Sequence, residues 1–326
     1  MHVTLQQLAY FVAVADVGSF TRAAESLGVA QPTLSRQLRA LEDELGSPLV
    51  DRSSRDGLAL TPAGEAVLPF ARRMLADADG ARTAVAEIVG LRRGRVRVGA
   101  TPSLCIGVLA DVLRVFHEKY PDVRLELVES GSQPLVRSLV RGELDVALVI
   151  VPPPGIDAAL DTEPLLRERL SVASPTSERA PTSRSSMTVR ELARRQLVVP
   201  RQGYDLLEST LKAYADADET PQFAVEGGEM DAVLRMVEAG TGVAVVPDLV
   251  FSSRPRLRRT VLTPPLYRTV ALARRADLAP THAMRAFRET LLSFLAVVSA
   301  GDGFPGDVQV LRRPEALTPA PAAPSD

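Results

Sequence analysis

The chain has 326 residues, 46% of them apolar and 24% charged, which suits about two domains that each bury a core of their own. A formal net charge of −2 excludes a globally basic nucleic-acid binder but leaves room for a local basic face. One cysteine, three scattered histidines and no tryptophan argue against disulfides, a zinc cluster and a base-stacking single-strand binder, so no metal and no cofactor is expected.

The first helix is predicted over about Leu5 to Ala15, with Leu8, Phe11, Val12 and Ala15 on one face. Ser19 is a good N-cap for a second helix, whose Phe20, Ala23, Ala24 and Leu27 face inward. Gly28 supplies a sharp turn, and Pro32 fits the first turn of a third helix. Leu34, Leu38, Leu41 and Leu45 form that helix's buried stripe. Facing away are Thr33, Ser35, Arg36 and Arg39, preceded by Gln31, a polar face of the kind a recognition helix turns to base edges. The helix-turn-helix spans about 20–39.

In LVDRSSRDGLALTPAG, Asp56-Gly57 signals a hairpin. Arg52 and Arg55 beside it suit a wing that holds phosphates or enters the minor groove. Residues 3–60 thus read as a winged helix-turn-helix domain. Over residues 1–60, however, acids outnumber arginines by seven to five.

A long helix is expected over 61–91, capped by Thr61 with Pro62 at its first turn. Val67, Phe70, Met74, Ala81 and Ile88 follow a 3.5-residue repeat, which predicts a seam pairing two chains as a homodimer.

From Arg95 short apolar runs alternate with helical runs, the pattern of a parallel α/β sheet. The pattern restarts after Pro164, giving two lobes: lobe I over about 94–162 and 266–299, lobe II over about 163–265. Such sheets bind ligands beyond the carboxyl ends of their strands. Those positions hold Thr101, Ser103, Ser130, Ser132, Pro152, Arg201, Gln202, Gly203 and Glu226. With Thr101 and Ser103 capping a helix and Arg201 facing them, a small anion is the expected effector, although Glu226 and Glu229 bring the opposite charge. Residues 300–326, rich in Pro and Ala, are expected to be a disordered tail.

Catalytic readings find no support. No G-x-S-x-G, P-loop or H-E-x-x-H motif occurs, and no catalytic residue is assigned. Cys105 reads as a buried small residue, not a redox switch, and Glu42-Asp43-Glu44 as a solvated helix end. No signal segment is evident and Leu291 to Ala300 is too short to cross a bilayer, so a cytoplasmic location without a membrane partner is expected.

Several runs carry a family resemblance: FVAVADVGSFTRAA, AQPTLSRQLRALE and LTPAG in the first part, then GRVRVGATPS, YPDVRLELVE, GELDVALV and VEAGTGVAVVP. Across about residues 3–299 the chain resembles the LysR-type transcriptional regulators, with Val50 where that family usually has phenylalanine. The resemblance implies a winged helix-turn-helix, a linker helix and a two-lobed regulatory domain like the periplasmic binding proteins. It implies double-stranded DNA as partner, with Gln31, Pro32, Thr33, Ser35 and Arg36 in the major groove. It also implies a homotetramer built as a dimer of dimers, RNA polymerase as a further partner, and a small-molecule effector between the lobes. The alternative is a DNA-binding regulator with no effector.

Overall fold

The computed structural model describes residues 2–51, 58–88, 94–151, 159–182, 184–301, 303–304 and 306–311. The chain divides into two compact units, Met1–Gly94 with Arg137–Asp145, and Arg95–Val136 with Val146–Asp326.

The first unit opens with α1 (Leu5–Val17), α2 (Phe20–Ser26) and α3 (Gln31–Leu45). Thr4 and Gln7 form a capping box at α1, and the Ser19 hydroxyl caps α2 by accepting the Arg22 N–H. Gly28 turns the chain between α2 and α3 at φ 64°, a backbone state that costs any other L-residue strain. Phe11, Val14, Ala23, Leu34, Leu38 and Leu41 are completely buried in one core. Short strands β1 (Val50–Asp51) and β2 (Ala59–Leu60) pair antiparallel, with Val50 buried. The wing tip between them lies outside the described residues, and with it Arg52 and Arg55.

Helix α4 (Pro62–Ile88) follows, capped by the Thr61 hydroxyl, which accepts the Gly64 N–H at 3.0 Å. Its apolar residues divide between two faces. Val67, Leu68, Ala71 and Leu75 pack on the helix-turn-helix core, so Val67 does not belong to the exposed seam. Phe70 and Met74 stay open, at 64% and 50% exposure, and Ala81 and Val85 are exposed further along. The Ile88 side chain is outside the description.

Glu42 departs from the solvated-end reading, whereas Asp43 and Glu44 are exposed as expected. Glu42 Oε1 accepts the backbone N–H groups of Leu49 at 2.9 Å and Val50 at 3.3 Å, pinning the start of β1 to α3. Glu44 Oε1 accepts the His2 N–H at 2.6 Å, and this bond holds its carboxyl below the usual range.

In the second unit β3 (Arg95–Ala100) pairs in parallel with β4 (Arg124–Glu129) and β5 (Val146–Val151). Between β3 and β4, α5 (Pro102–Leu104) runs through one π-turn (Cys105–Leu109) into α6 (Ala110–Lys119), and α7 (Ser132–Val140) precedes β5. Two long strands, β6 (Leu160–Pro175) and β11 (Leu257–Arg275), pair antiparallel along almost their whole length. Between them come β7 (Ser186–Thr188), α8 (Val189–Leu192), β8 (Gln196–Val199), α9 (Asp205–Asp216), β9 (Gln222–Glu226), α10 (Met230–Glu238) and β10 (Ala244–Pro247). The main sheet runs β10-β6-β11-β5-β3-β4, and β8 and β9 form a parallel pair bridged to Val243 beside β10. Helix α11 (His282–Ala300) covers the lobe I core.

The strands β6 and β11 are longer than the sequence pattern suggests, and they serve both lobes. Leu165 and Leu166 of β6 lie in the lobe I core, whereas Leu170, Val172 and Ala173 lie in the lobe II core. The lobe boundary on this strand therefore falls near residues 167–169, not at 162–163. Beyond Ala300 the structure also departs from a featureless tail. Strand β12 (Val308–Val310) pairs antiparallel with β6 across Leu166, Arg167 and Glu168. Among the described residues no helix is long and apolar enough to cross a membrane.

Candidate effector cavity and nucleic-acid interface

Helix α3 presents the expected polar face. With Leu34, Leu38 and Leu41 buried, the 3.6-residue repeat leaves Gln31, Pro32, Arg36 and Arg39 exposed and Thr33 and Ser35 half-buried. A narrow row of donors and cations on a rigid helix is what major-groove base edges require.

The second unit holds a small, partly open cavity of about 20 Å³. Lobe I contributes Thr101, Pro102, Ser103, Ile150 and Arg268, and lobe II contributes Pro200, Tyr204, Asp205, Leu206 and Met230. Of the residues expected from sequence, Thr101 and Ser103 line it; Thr101 stands at the N-cap of α5 without a side-chain capping bond, and Ser103 lies within that helix. The Thr101 hydroxyl is buried, in a residue 3% exposed, and has no hydrogen-bond partner. Buried polar atoms are seldom left so, which marks this hydroxyl as available to a ligand. Ser103 Oγ instead accepts from Arg268 Nη2 at 2.9 Å.

Arg268 is the cationic residue that sequence reasoning missed. Its Nε and Nη2 donate to Glu168 Oε1 at 2.9 and 2.7 Å, while Glu168 Oε2 accepts the Leu249 N–H at 3.1 Å. Burial pushes the Glu168 carboxyl up and the adjacent guanidinium pulls it down, leaving it raised. The pair carries no net charge, and Arg268 Nη1 makes no hydrogen bond among the described residues.

Ser132 is buried at the first residue of α7, close behind the cavity. Its hydroxyl donates to Asp205 Oδ2 at 2.7 Å and accepts the Ile150 N–H at 3.0 Å. Ser130 is half-buried and donates its N–H to the Ala100 carbonyl at 3.2 Å. Arg201, Gln202, Gly203 and Glu226 are exposed and do not line the cavity. Arg201 is engaged outside it: Nε donates to Glu229 Oε1 at 2.9 Å and Nη2 to the Tyr204 hydroxyl at 3.2 Å. Burial, with Glu229 alongside, pushes the Tyr204 hydroxyl up to about 12, so it stays protonated. Pro152 lies outside the described residues. Cys105 is half-buried, and burial pushes its thiol up to about 12 with the Glu129 carboxylate adding to the shift. At neutral pH it is a thiol, not a reactive thiolate.

Comparison with known proteins bears on both features. Residues 5–65 match the bacterial regulatory helix-turn-helix protein, lysR family, and residues 90–296 match the LysR substrate binding domain. The chain is 32% identical over 250 residues to the uncharacterized HTH-type transcriptional regulator YnfL of Escherichia coli K12, covering 76% of this chain and 83% of that protein. It is 33% identical over 252 residues to the HTH-type transcriptional regulator TtuA of Agrobacterium vitis, covering 74% and 80%. Full-length OxyR from Pseudomonas aeruginosa superposes with a TM-score of 0.69 at 29% identity, covering 89% of this chain and 98% of that one. Full-length CbnR complexed with its target DNA superposes with a TM-score of 0.66 at 25% identity, covering 90% and 100%.

Proposed function

Because the chain belongs to the LysR family of bacterial helix-turn-helix transcriptional regulators, we propose that α3 reads an operator in double-stranded DNA and that the cavity between the lobes takes the small molecule controlling this binding. The observation that carries the effector reading is the Thr101 hydroxyl, buried and unpartnered on the wall of a cavity between two lobes.

On the DNA side, Gln31, Pro32, Thr33, Ser35 and Arg36 contact base edges, and Arg39, Arg52 and Arg55 hold backbone or minor groove. The structure of a relative with its target DNA supports this use of the helix. The exposed Phe70, Met74, Ala81 and Val85 of α4 support a homodimer, whose two heads match a dyad-symmetric site. A homotetramer is an extension of the same principle. A cytoplasmic location, with RNA polymerase as a neighbour on the DNA, follows from this role.

The test is a binding titration on the DNA upstream of the protein's own gene. Arg36→Ala should cost about 1–3 kcal/mol and relax the preference at one base pair. Unchanged affinity and preference would remove Arg36 from the reading set.

A further inference from the structure

We propose that the end of lobe II farthest from lobe I is a second DNA-binding surface, which holds the phosphate backbone of duplex DNA without regard to sequence. The choice of DNA as the partner rests on the operator reading given above.

At this end Pro175, the last residue of β6, pairs with Leu257, the first of β11. Residues 175–195 and 254–259, which meet there, hold nine arginines and two acids, in a chain whose formal net charge is −2. Four of these arginines have a carboxylate partner: Arg184 with Glu191, Arg190 with Glu219, Arg254 with Asp231 and Arg259 with Asp248. Arg179, Arg194, Arg195 and Arg256 are exposed and Arg258 is half-buried, and none of the five forms an ion pair among the described residues. Of the two acids in these segments, Glu191 is paired, so Glu178 alone is left against them.

Two guanidiniums shape the loop that carries Arg179. Arg258 Nη1 donates to the carbonyls of Pro175 at 3.2 Å and Glu178 at 3.0 Å, and its Nη2 donates to that of Thr176 at 3.2 Å. Arg195 Nη2 donates to the Pro181 carbonyl, and the Thr176 N–H donates to the Arg256 carbonyl at 2.9 Å. These bonds gather residues 176–181, Arg195 and Arg256 on one surface. Carbonyls are neutral, so they orient Arg258 and Arg195 without cancelling their charge. Salt screens charges over about 10 Å, so cations on one loop and its neighbours act as a single positive field even on a net-negative chain. Thr176, Ser177 and Ser185 are exposed beside them and add hydroxyls of the kind that donate to phosphate oxygens.

Neutralising phosphates supplies a large share of the affinity of a DNA-binding protein. Residues 1–60, which read the bases, carry seven acids against five arginines, and one of the five, Arg22, is turned to the Val17 carbonyl. That domain is poor in the charge its task calls for, and the tip of lobe II holds it in excess. Phosphate contacts position a protein and carry no sequence information, which suits a surface of cations and hydroxyls.

The experiment titrates the full-length protein, across a range of salt, on the DNA upstream of its own gene and on a scrambled duplex of equal length. The variant combines Arg179→Gln, Arg194→Gln and Arg256→Gln. These side chains are exposed and make no hydrogen bond among the described residues, so the circular dichroism spectrum should stay that of wild type. Each phosphate contact contributes about 0.9 to the slope of log affinity against log salt, so the variant should flatten that slope by about 2–3 per chain. Affinity for both duplexes should fall together, leaving their ratio unchanged. A control combining Arg114→Gln, Lys119→Gln and Arg285→Gln removes the same charge from exposed positions of lobe I and should keep the wild-type slope. Should the triple variant misfold, Arg179→Gln alone should flatten the slope by about 1. An unchanged slope overturns the proposal, and is the result expected if the surface faces an acidic protein instead. Equal flattening in variant and control overturns it too, because net charge would then account for the effect. A changed ratio between the duplexes overturns the sequence-independent contact. The operator reading fails separately: wild type showing no preference between the duplexes would remove it, while the slope on either duplex still tests lobe II.

Discussion

Truncating Glu168 to alanine strands a buried charge. The Arg268 side chain is 6% exposed and Glu168 is completely buried, so neither has water to fall back on. In Glu168→Ala the guanidinium keeps Ser103 but loses both bonds to the carboxylate, and the Leu249 N–H loses its acceptor. Breaking a buried pair from one side costs about 3–5 kcal/mol, the larger part being the penalty of an uncompensated charge. For a unit of this size each kcal/mol moves the melting temperature by about 2–4 °C, so a fall of about 6–20 °C is expected. Scanning calorimetry of the full chain reads it directly. The companion variant Glu168→Leu with Arg268→Met removes both charges and should recover most of the loss, since apolar groups of similar volume replace such pairs at little cost. A fall of less than about 2 °C in Glu168→Ala would refute the reasoning, because the pair would then be reached by water. A double variant no better than the single would show that the loss came from packing and not from charge.

Three further outcomes are expected. Phe70→Asp with Met74→Asp puts charge on the open face of α4 and should leave a monomer by light scattering, with the fold intact by circular dichroism because neither side chain is buried in its own unit; an unchanged oligomer would place the interface elsewhere. With its thiol pushed up to about 12, Cys105 should resist iodoacetamide at pH 8 and become reactive only in denaturant, as mass spectrometry would read. Glu42→Ala removes the acceptor for two backbone N–H groups at the base of the wing and should cost about 1–3 kcal/mol in urea unfolding of the first unit; no loss would mean that water replaces the carboxylate there.

The first unit was readable because its signals are local. Leu34, Leu38 and Leu41 repeat within one helix, and Ser19 and Thr61 cap helices three residues away. The second unit yielded its alternation but not its spine. Pro164 and the pair Pro264 and Pro265 interrupt β6 and β11 in sequence, and the ladder absorbs them at two register shifts, Val270/Ala271 and Val261/Leu266. Arg268 and Glu168 are 100 residues apart, so each alone looks like an ordinary polar residue in a strand. The bond from Ser132 to Asp205 spans 73 residues, so neither residue points to the other in sequence. Thr101 and Ser103 were found because position relative to a strand end is a local property, but their partners were not.

Strand β12 changes how the lobes can flex. Where β6 leaves one core for the other, β12 lies along its edge, and Asp307 accepts from Arg169 at 2.6 Å and from Tyr267 at 2.8 Å. The ribbon joining the lobes is therefore three strands wide at its narrowest point. A wider beam resists bending more, so residues 307–310 help set the spring constant against which any ligand must work. Chains ended at Ala300, or carrying a bulky fusion close behind Leu311, would tune that stiffness without touching the cavity or the DNA-reading helix.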